Sequence, residues 1–231
     1  MIPEYVLAAT RDGLMARLEP MTVAASIVVD LGSAHSSAGR LLEKRFKGAR
    51  VVTVDLSLPL LARARSSKGL LSKSGYVQAA ATALPFADHS VDIVYANQLL
   101  PWHTDPVPVL AEVTRVLRKD GLFVFSTLGP DSLQGLLHEP FADMHIIGDA
   151  LVRAGLRDPV LDVDRLAVTF ENVESLINDF EAVGAGHCVP ADAQISSVEF
   201  EIVYGHCWGP GALPGAGEYR LDPAQIGRRK I

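Results

Sequence analysis

The sequence predicts an α/β fold in which mostly parallel strands form one open sheet with helices on both faces, and three observations carry that prediction. Strand-like apolar runs alternate with helical runs along most of the chain, the pattern of successive βαβ units. The first two runs, Ile27-Val28-Val29-Asp30-Leu31 and Arg50-Val51-Val52-Thr53-Val54-Asp55, both reach an acid at their end. Between them, Gly32-Ser33-Ala34-His35-Ser36-Ser37-Ala38-Gly39 is a small-residue turn opening into the helical spacing of Leu41, Leu42, Arg45 and Phe46. Strand, tight turn and helix in that order form the frame of a nucleotide-cofactor loop, so the expected sheet is Rossmann-like.

Taken in order, the strands are expected at Ile27 to Leu31, Arg50 to Asp55, Gly75 to Ala79, Val91 to Asn97, Leu122 to Thr127, Val160 to Phe170 and Val198 to Cys207. The helices are expected between them, at Ala38 to Phe46, Leu58 to Ser67, Pro106 to Leu117, Gly148 to Ala154 and Val173 to Val183. Asp55, Ser57 and Pro59 are start signals for the second of these helices. Lys119-Asp120-Gly121 reads as a helix end with a glycine C-cap. From Gly209 the segment Gly-Pro-Gly-Ala-Leu-Pro-Gly-Ala-Gly is turn-rich and aperiodic. The expected organisation is a single domain over residues 1–208 and a Gly/Pro-rich tail over 209–231.

Composition limits the function classes. A chain of 231 residues with 48% hydrophobic content can bury one substantial core. A net charge of −6 and a pI near 5.6 argue against a nucleic-acid partner, and Arg228-Arg229-Lys230 reads as a solvated tail. No apolar run reaches membrane-spanning length, and Met1-Ile2-Pro3-Glu4 lacks the start of a signal peptide, so no membrane association and a cytoplasmic location are expected. The tripeptides Gly186-His187-Cys188 and Gly205-His206-Cys207 invite a zinc site. Strand alternation argues against it, because His206 and Cys207 would point to opposite faces. No metal is expected, and both cysteines are expected as thiols of a reducing compartment. Oligomeric state is not legible in the sequence.

The candidate chemistry gathers at the strand ends. An acid closing the second strand can accept from ribose hydroxyls, and Asp55 stands there; it can equally cap the helix near Leu58, and the two roles are compatible. Gly32 lets the backbone approach a ligand, whereas Ala34 and Ser36 occupy the second and third glycine positions of a Gly-x-Gly-x-Gly loop. A Cβ there disfavours positive φ by about 1–2 kcal/mol. His103, just past the fourth strand, is expected to face solvent and Trp102 to wall a pocket. His145 and Asp149 are spaced to share a helix face, which an ordinary helix-start hydrogen bond also explains. His35 has no chemical role.

Four segments in order then carry a family resemblance: Asp30-Leu31-Gly32, Asp55-Leu56-Ser57, Ala83-Leu84-Pro85-Phe86-Ala87-Asp88-His89-Ser90-Val91-Asp92, and Glu112-Val113-Thr114-Arg115-Val116-Leu117-Arg118-Lys119-Asp120-Gly121. Together they resemble the class I S-adenosylmethionine-dependent methyltransferases. Phe125-Ser126-Thr127-Leu128-Gly129-Pro130-Asp131-Ser132-Leu133, Phe141-Ala142-Asp143-Met144-His145 with Gly148-Asp149-Ala150-Leu151, and Val203-Tyr204-Gly205-His206-Cys207-Trp208 are similar to the malonyl-[acyl-carrier protein] O-methyltransferases of biotin synthesis. The resemblance implies the seven-stranded methyltransferase sheet, six strands parallel and the last antiparallel, with S-adenosyl-L-methionine at the carboxyl ends of the first strands. It implies that Asp30 and Gly32 border the methionine portion, Asp55 holds the ribose and Asn97 lines the pocket. Ser33 and Ala34 in the turn, Leu56 beside Asp55, and Ala80 and Ala81 after the third strand complete the implied cofactor-binding set. Ala80 stands where the family commonly has an aspartate for the adenine amino group. The amino-terminal cap is expected to be short, as are the segments between Leu137 and Phe141 and between His187 and Ser197. The implied acceptor is a carboxylate, small or carried on acyl-carrier protein. The alternative is a degenerate member that binds cofactor weakly or not at all and serves as an assembly partner.

Overall fold

The computed structural model describes residues 3–32, 38–66, 72, 74–134, 136, 140–182 and 197–210. Its elements in chain order are α1 (Glu4–Leu18), β1 (Ile27–Leu31), α2 (Ala38–Arg45), β2 (Arg50–Asp55), α3 (Leu58–Ser66), β3 (Gly75–Gln78), β4 (Val91–Asn97), a 3-10 turn (Leu100–Trp102), α4 (Val107–Val116), β5 (Leu117–Leu128), α5 (Met144–Arg153), β6 (Arg157–Thr169), α6 (Val173–Ala182) and β7 (Ser197–Trp208). The strands form one sheet in the order β3-β2-β1-β4-β5-β7-β6. Pairs among β1 to β5 are parallel, and β7 runs antiparallel to both β5 and β6. This is the seven-stranded sheet expected from the sequence. No described helix is long and apolar enough to cross a membrane.

Each sheet face is covered, which is why the central strand β4 is buried at every position. On one face Val6, Leu14 and Leu18 of α1, Leu42 of α2 and Leu176 of α6 pack on Val28, Ile93, Tyr95, Val124 and Phe200. On the other, Val109, Leu110 and Val113 of α4 and Ile147 and Leu151 of α5 pack on Val29, Val94, Phe123, Phe125 and Val203. Asp92 ties the strand starts together: one carboxylate oxygen accepts from the Ser26 and Ile27 amides, both at 2.8 Å, and the other from Arg118.

Several boundaries differ from expectation for identifiable reasons. Helix α4 ends at Val116, and Leu117 is already extended at φ −68°, ψ 136°. Lys119-Asp120-Gly121 therefore lies inside β5, and Gly121 is no C-cap, since its φ is not among the positive ones. The pairing of β5 with β4 jumps from Leu117 to Leu122, so these charged residues sit at an irregularity by the sheet end. Helix α5 begins four residues early because Asp143 caps it, accepting from the His145 amide at 2.7 Å. Helix α1 is not among the expected helix spans, although the resemblance implied a short amino-terminal cap. It is fixed to the sheet by Arg17, which pairs with Asp162 of β6 and stacks 3.7 Å over the Tyr204 ring of β7. Gly13 makes that approach possible, since a Cβ there would overlap the Tyr204 hydroxyl. Its C-terminus is capped from α2, with Arg45 Nη2 donating to the Leu18 carbonyl at 3.1 Å.

Candidate active site

Chain order leaves β1 outward through β2 to β3 and then returns to β4 on the other side of β1. That switch point is where ligands of open α/β sheets bind, beyond the carboxyl ends. Asp30 lies there, 1% exposed, beside Thr53 of β2 and Tyr95 of β4 in register. Its Oδ2 approaches the first turn of α2 at Gly39. The pKa of the Tyr95 hydroxyl is raised well above its usual range by burial, and then by the nearby Asp30 charge. Gly32 follows at φ +69°, its amide donating to the Val54 carbonyl at 2.8 Å. A Cβ on Gly32 would come 2.6 Å from Cδ1 of Leu99, so both backbone angle and space demand glycine. Ser33 to Ser37, and with them the expected contacts of Ser33 and Ala34, lie outside the described residues.

Asp55 closes β2, 9% exposed, and its Oδ1 accepts from the Ser57 amide at 2.8 Å. This bond shapes the turn that leads into α3 and occupies one oxygen. Leu56 beside it is 69% exposed, an apolar side chain left at the rim of the strand ends. Ala80 and Ala81 follow β3, where the Ala80 carbonyl accepts from the Ala83 amide at 3.1 Å and Ala81 is buried. Arg115 and Glu112 of α4 hold that segment. Glu112 Oε2 accepts from the Leu84 amide at 2.8 Å, while Arg115 donates to the Leu84 and Phe86 carbonyls and to Asp88 and Glu112. Arg115 hydrogen bonding lowers the Glu112 pKa below its usual value. The sequence motif spanning these residues is therefore a staple for the wall on which Ala80 and Ala81 sit.

Asn97, at the tip of β4, is committed to structure. Its Nδ2 donates to the Leu7 carbonyl of α1 at 2.9 Å, and its Oδ1 accepts from Ser126 Oγ at 2.8 Å. It ties the start of α1 to the carboxyl end of β4. Gln98 is 1% exposed at φ +56°, with its amide N–H donating to the Ser126 carbonyl at 3.0 Å. Neither side-chain heteroatom of Gln98 has a hydrogen-bond partner among the described residues. Nothing in the sequence pattern singles out that position.

Past β4 and β5 a cleft of about 300 Å³ opens, lined among others by Trp102, His103, Leu110, Thr127, Phe141 and Ile147. Trp102 walls it as expected, with more than half its surface still exposed. His103 does not simply face solvent: it lines the cleft and is half-buried, and burial lowers its pKa. His145 and Asp149 do not act together. His145 bonds the cap residue Asp143, and Asp149 pairs with Arg153 at 3.8 Å. Cys207 is a buried free thiol and its pKa is raised by burial; in β7 the neighbouring His206 is less buried, as alternation predicts. His187 and Cys188 lie outside the described residues. Among the described residues no cluster of His, Cys, Asp and Glu could hold a metal ion.

Comparison with known proteins gives a consistent result. A family model described as a methyltransferase domain matches residues 29–125. The malonyl-[acyl-carrier protein] O-methyltransferase of Halorhodospira halophila is 33% identical, covering 95% of this chain and 88% of the relative. The protein of that name from Laribacter hongkongensis is 34% identical, covering 88% of this chain and 82% of the relative. Among solved structures, a methyltransferase of Bacillus halodurans superposes with a TM-score of 0.66 at 18% identity, covering 88% of this chain and 98% of its own. Haemonchus contortus phosphoethanolamine N-methyltransferase 2, solved in complex with S-adenosyl-L-methionine, superposes with a TM-score of 0.58 at 17% identity, covering 87% of this chain and 52% of its own.

Proposed function

Because this chain belongs to the malonyl-[acyl-carrier protein] O-methyltransferase family, we propose that it transfers the methyl group of S-adenosylmethionine to the free carboxylate of a malonyl group carried on an acyl-carrier protein, in the cytoplasm and in the service of biotin synthesis. The observation that carries the site assignment is the pair of buried acids, Asp30 and Asp55, ending adjacent parallel strands with the positive-φ Gly32 between them. An acid at the second strand end suits ribose hydroxyls. A glycine with no room for a Cβ suits backbone approach to the methionine portion. The exposed apolar Leu56 and the small Ala80 and Ala81 suit the adenine ring, so the residues present fit the cofactor. Ser33 and Ala34 would border it from the turn.

The cofactor supplies an electrophilic methyl group on a sulfonium. The chain's own work is then orientation and exclusion of water, because a malonyl carboxylate is already ionised at neutral pH and needs no general base. The cleft beside Trp102 and Phe141 is the acceptor site in this reading. Its described lining holds no lysine or arginine, and His103 is biased toward its neutral form by burial. A carboxylate entering it gives up water without gaining a fixed cation, which keeps its oxygen nucleophilic. Asn97 contributes at one remove by tying the start of α1 to the carboxyl end of β4.

The test is calorimetric titration with S-adenosylmethionine and S-adenosylhomocysteine, followed by methyl transfer to malonyl-acyl-carrier protein. Asp55→Ala is expected to weaken cofactor binding by about 1–3 kcal/mol, roughly ten- to a hundredfold, with the fold intact. Unchanged affinity would move the ribose away from Asp55. Absence of binding by the unmodified chain at millimolar cofactor would favour the degenerate alternative.

A further inference from the structure

The cleft beside Trp102 and Phe141 is walled mostly by carbon, so the few polar groups it holds decide what can enter. Proline, leucine, alanine and isoleucine side chains from the 3-10 turn, α4, α5 and the ends around them make up most of its described lining. The described lining residues with a side-chain donor are Trp102, His103, Thr104 and Thr127. Trp102 and Thr104 are exposed, whereas Thr127 is 4% exposed and His103 is half-buried. The two inner donors are thus one imidazole and one hydroxyl.

Both stand at the carboxyl ends of β4 and β5, and β1, which leads into Gly32, is the other neighbour of β4. Thr127 follows Ser126, which is level with Asn97 at the tip of β4 and spends its hydroxyl on Asn97 Oδ1. Strand alternation turns Thr127 the other way, to the face where Phe123 and Phe125 pack with Leu110 and Ile147. His103 ends the 3-10 turn that leaves β4, and the bond that fixes it there belongs to the backbone: its amide donates to the Leu100 carbonyl at 3.0 Å. Burial is the one influence on the His103 pKa, and it lowers it; no charge or hydrogen bond from a described residue bears on the ring. At pH 7 the side chain is therefore a neutral imidazole with its N–H donor unspent.

We propose that the His103 imidazole and the Thr127 hydroxyl hold the acceptor carboxylate, as two neutral donors in a site whose described lining has no cation. The inference rests on the functional reading above and adds the residues that recognise the acceptor. A carboxylate brought from water into a carbon-lined cleft must be hydrogen-bonded there. Neutral donors meet that need and leave the charge in place. A lysine or arginine at the same point would bind the ground state more strongly than the transition state, in which that charge is being lost, and so would slow the reaction. The same pair favours the acid over its methyl ester, because a hydrogen bond to an ionised oxygen is about twice as strong as one to a neutral oxygen.

The test uses the full chain with S-adenosylmethionine and malonyl-acyl-carrier protein. His103→Phe keeps an aromatic ring and removes the donor; Thr127→Val keeps the shape and removes the hydroxyl. Each is expected to raise the acceptor KM at least about tenfold with kcat within about twofold, while melting temperature and cofactor affinity stay close to those of the unmodified chain. His103→Gln, another neutral donor, should bring KM back to within about threefold, whereas His103→Lys should lower kcat at least about tenfold without raising KM. Calorimetry with malonyl-coenzyme A on the chain saturated with S-adenosylhomocysteine reads acceptor binding without turnover, and should show the same loss in His103→Phe and Thr127→Val. An unchanged KM in either of those two variants overturns the pair. So does a loss confined to kcat in His103→Phe that His103→Gln does not restore, which would make the ring a proton acceptor for a hydroxyl substrate. If the unmodified chain binds cofactor and methylates no carboxylate, the functional reading fails and the inference with it; transfer by the unmodified chain with KM unmoved in the variants removes the inference alone.

Discussion

At the scale of single residues, the end of β4 is where side chains have the least freedom. Asn97 spends both ends of its amide on α1 and β5, whereas Gln98 is buried at positive φ with an amide that meets no partner among the described residues. A buried orphan of this kind costs about 1–3 kcal/mol. Gln98→Leu keeps the volume and removes the polar atoms, so it should raise the melting temperature by about 2–4 °C per kcal/mol recovered. A lower melting temperature would show that the amide is satisfied in solution. Residues of this sort explain what the sequence did and did not disclose about the site. The places of Asp30, Gly32 and Asp55 at strand ends were legible because each follows a mostly apolar run that reads as a strand. The commitment of Asn97 to α1 was not, because its partner is the Leu7 carbonyl, ninety positions away. His103 misled for the same reason: the cleft it lines is completed by Phe141 and Ile147 from a distant segment.

At the scale of elements, the connection between α4 and the wall after β3 is the clearest case of chemistry holding geometry. Glu112 has a folded pKa below its unfolded value, with Arg115 hydrogen bonding as the main cause. A depressed carboxylate contributes stability that is present above its unfolded pKa of about 4.3 and is lost as pH falls through the folded value. Acid titration of the melting temperature should therefore fall more steeply below about pH 4.3 in the unmodified chain than in Glu112→Gln, where that acid limb flattens. Equal slopes would remove Glu112 from the acid transition. Near pH 7 the substitution should cost under about 1 kcal/mol, because the pair is partly exposed and the amide still accepts from Leu84. Strands β1, β2 and β4 matched expectation to the residue, since their apolar runs have polar ends. The start of β5 did not: Arg118, Lys119 and Asp120 are exposed in the strand, and a charged run after a helical pattern reads as a helix end.

At the scale of the whole molecule, the sheet was legible and its amino-terminal cover was not. The buried side of α1 consists of Val6, Thr10, Leu14 and Leu18, where a threonine breaks the apolar spacing, and Gly13 with Arg11 and Asp12 weakens the helical signal further. Gly13 is there for contact with Tyr204, so Gly13→Ala should destabilise by about 1–3 kcal/mol despite the better helix propensity of alanine. Adding Tyr204→Phe to that variant should recover part of the loss in thermal melts; a Gly13→Ala chain as stable as the original would place the hydroxyl elsewhere. The ties of α1 also bear on the order of folding. Leu7 waits for Asn97, and Arg17 for Asp162 and Tyr204, so a helix made before its partners is among the last to find its place. Until β7 has been inserted between β5 and β6, Arg17 has neither Asp162 nor the Tyr204 ring to close against, and the carboxyl half of α1 stays unfastened.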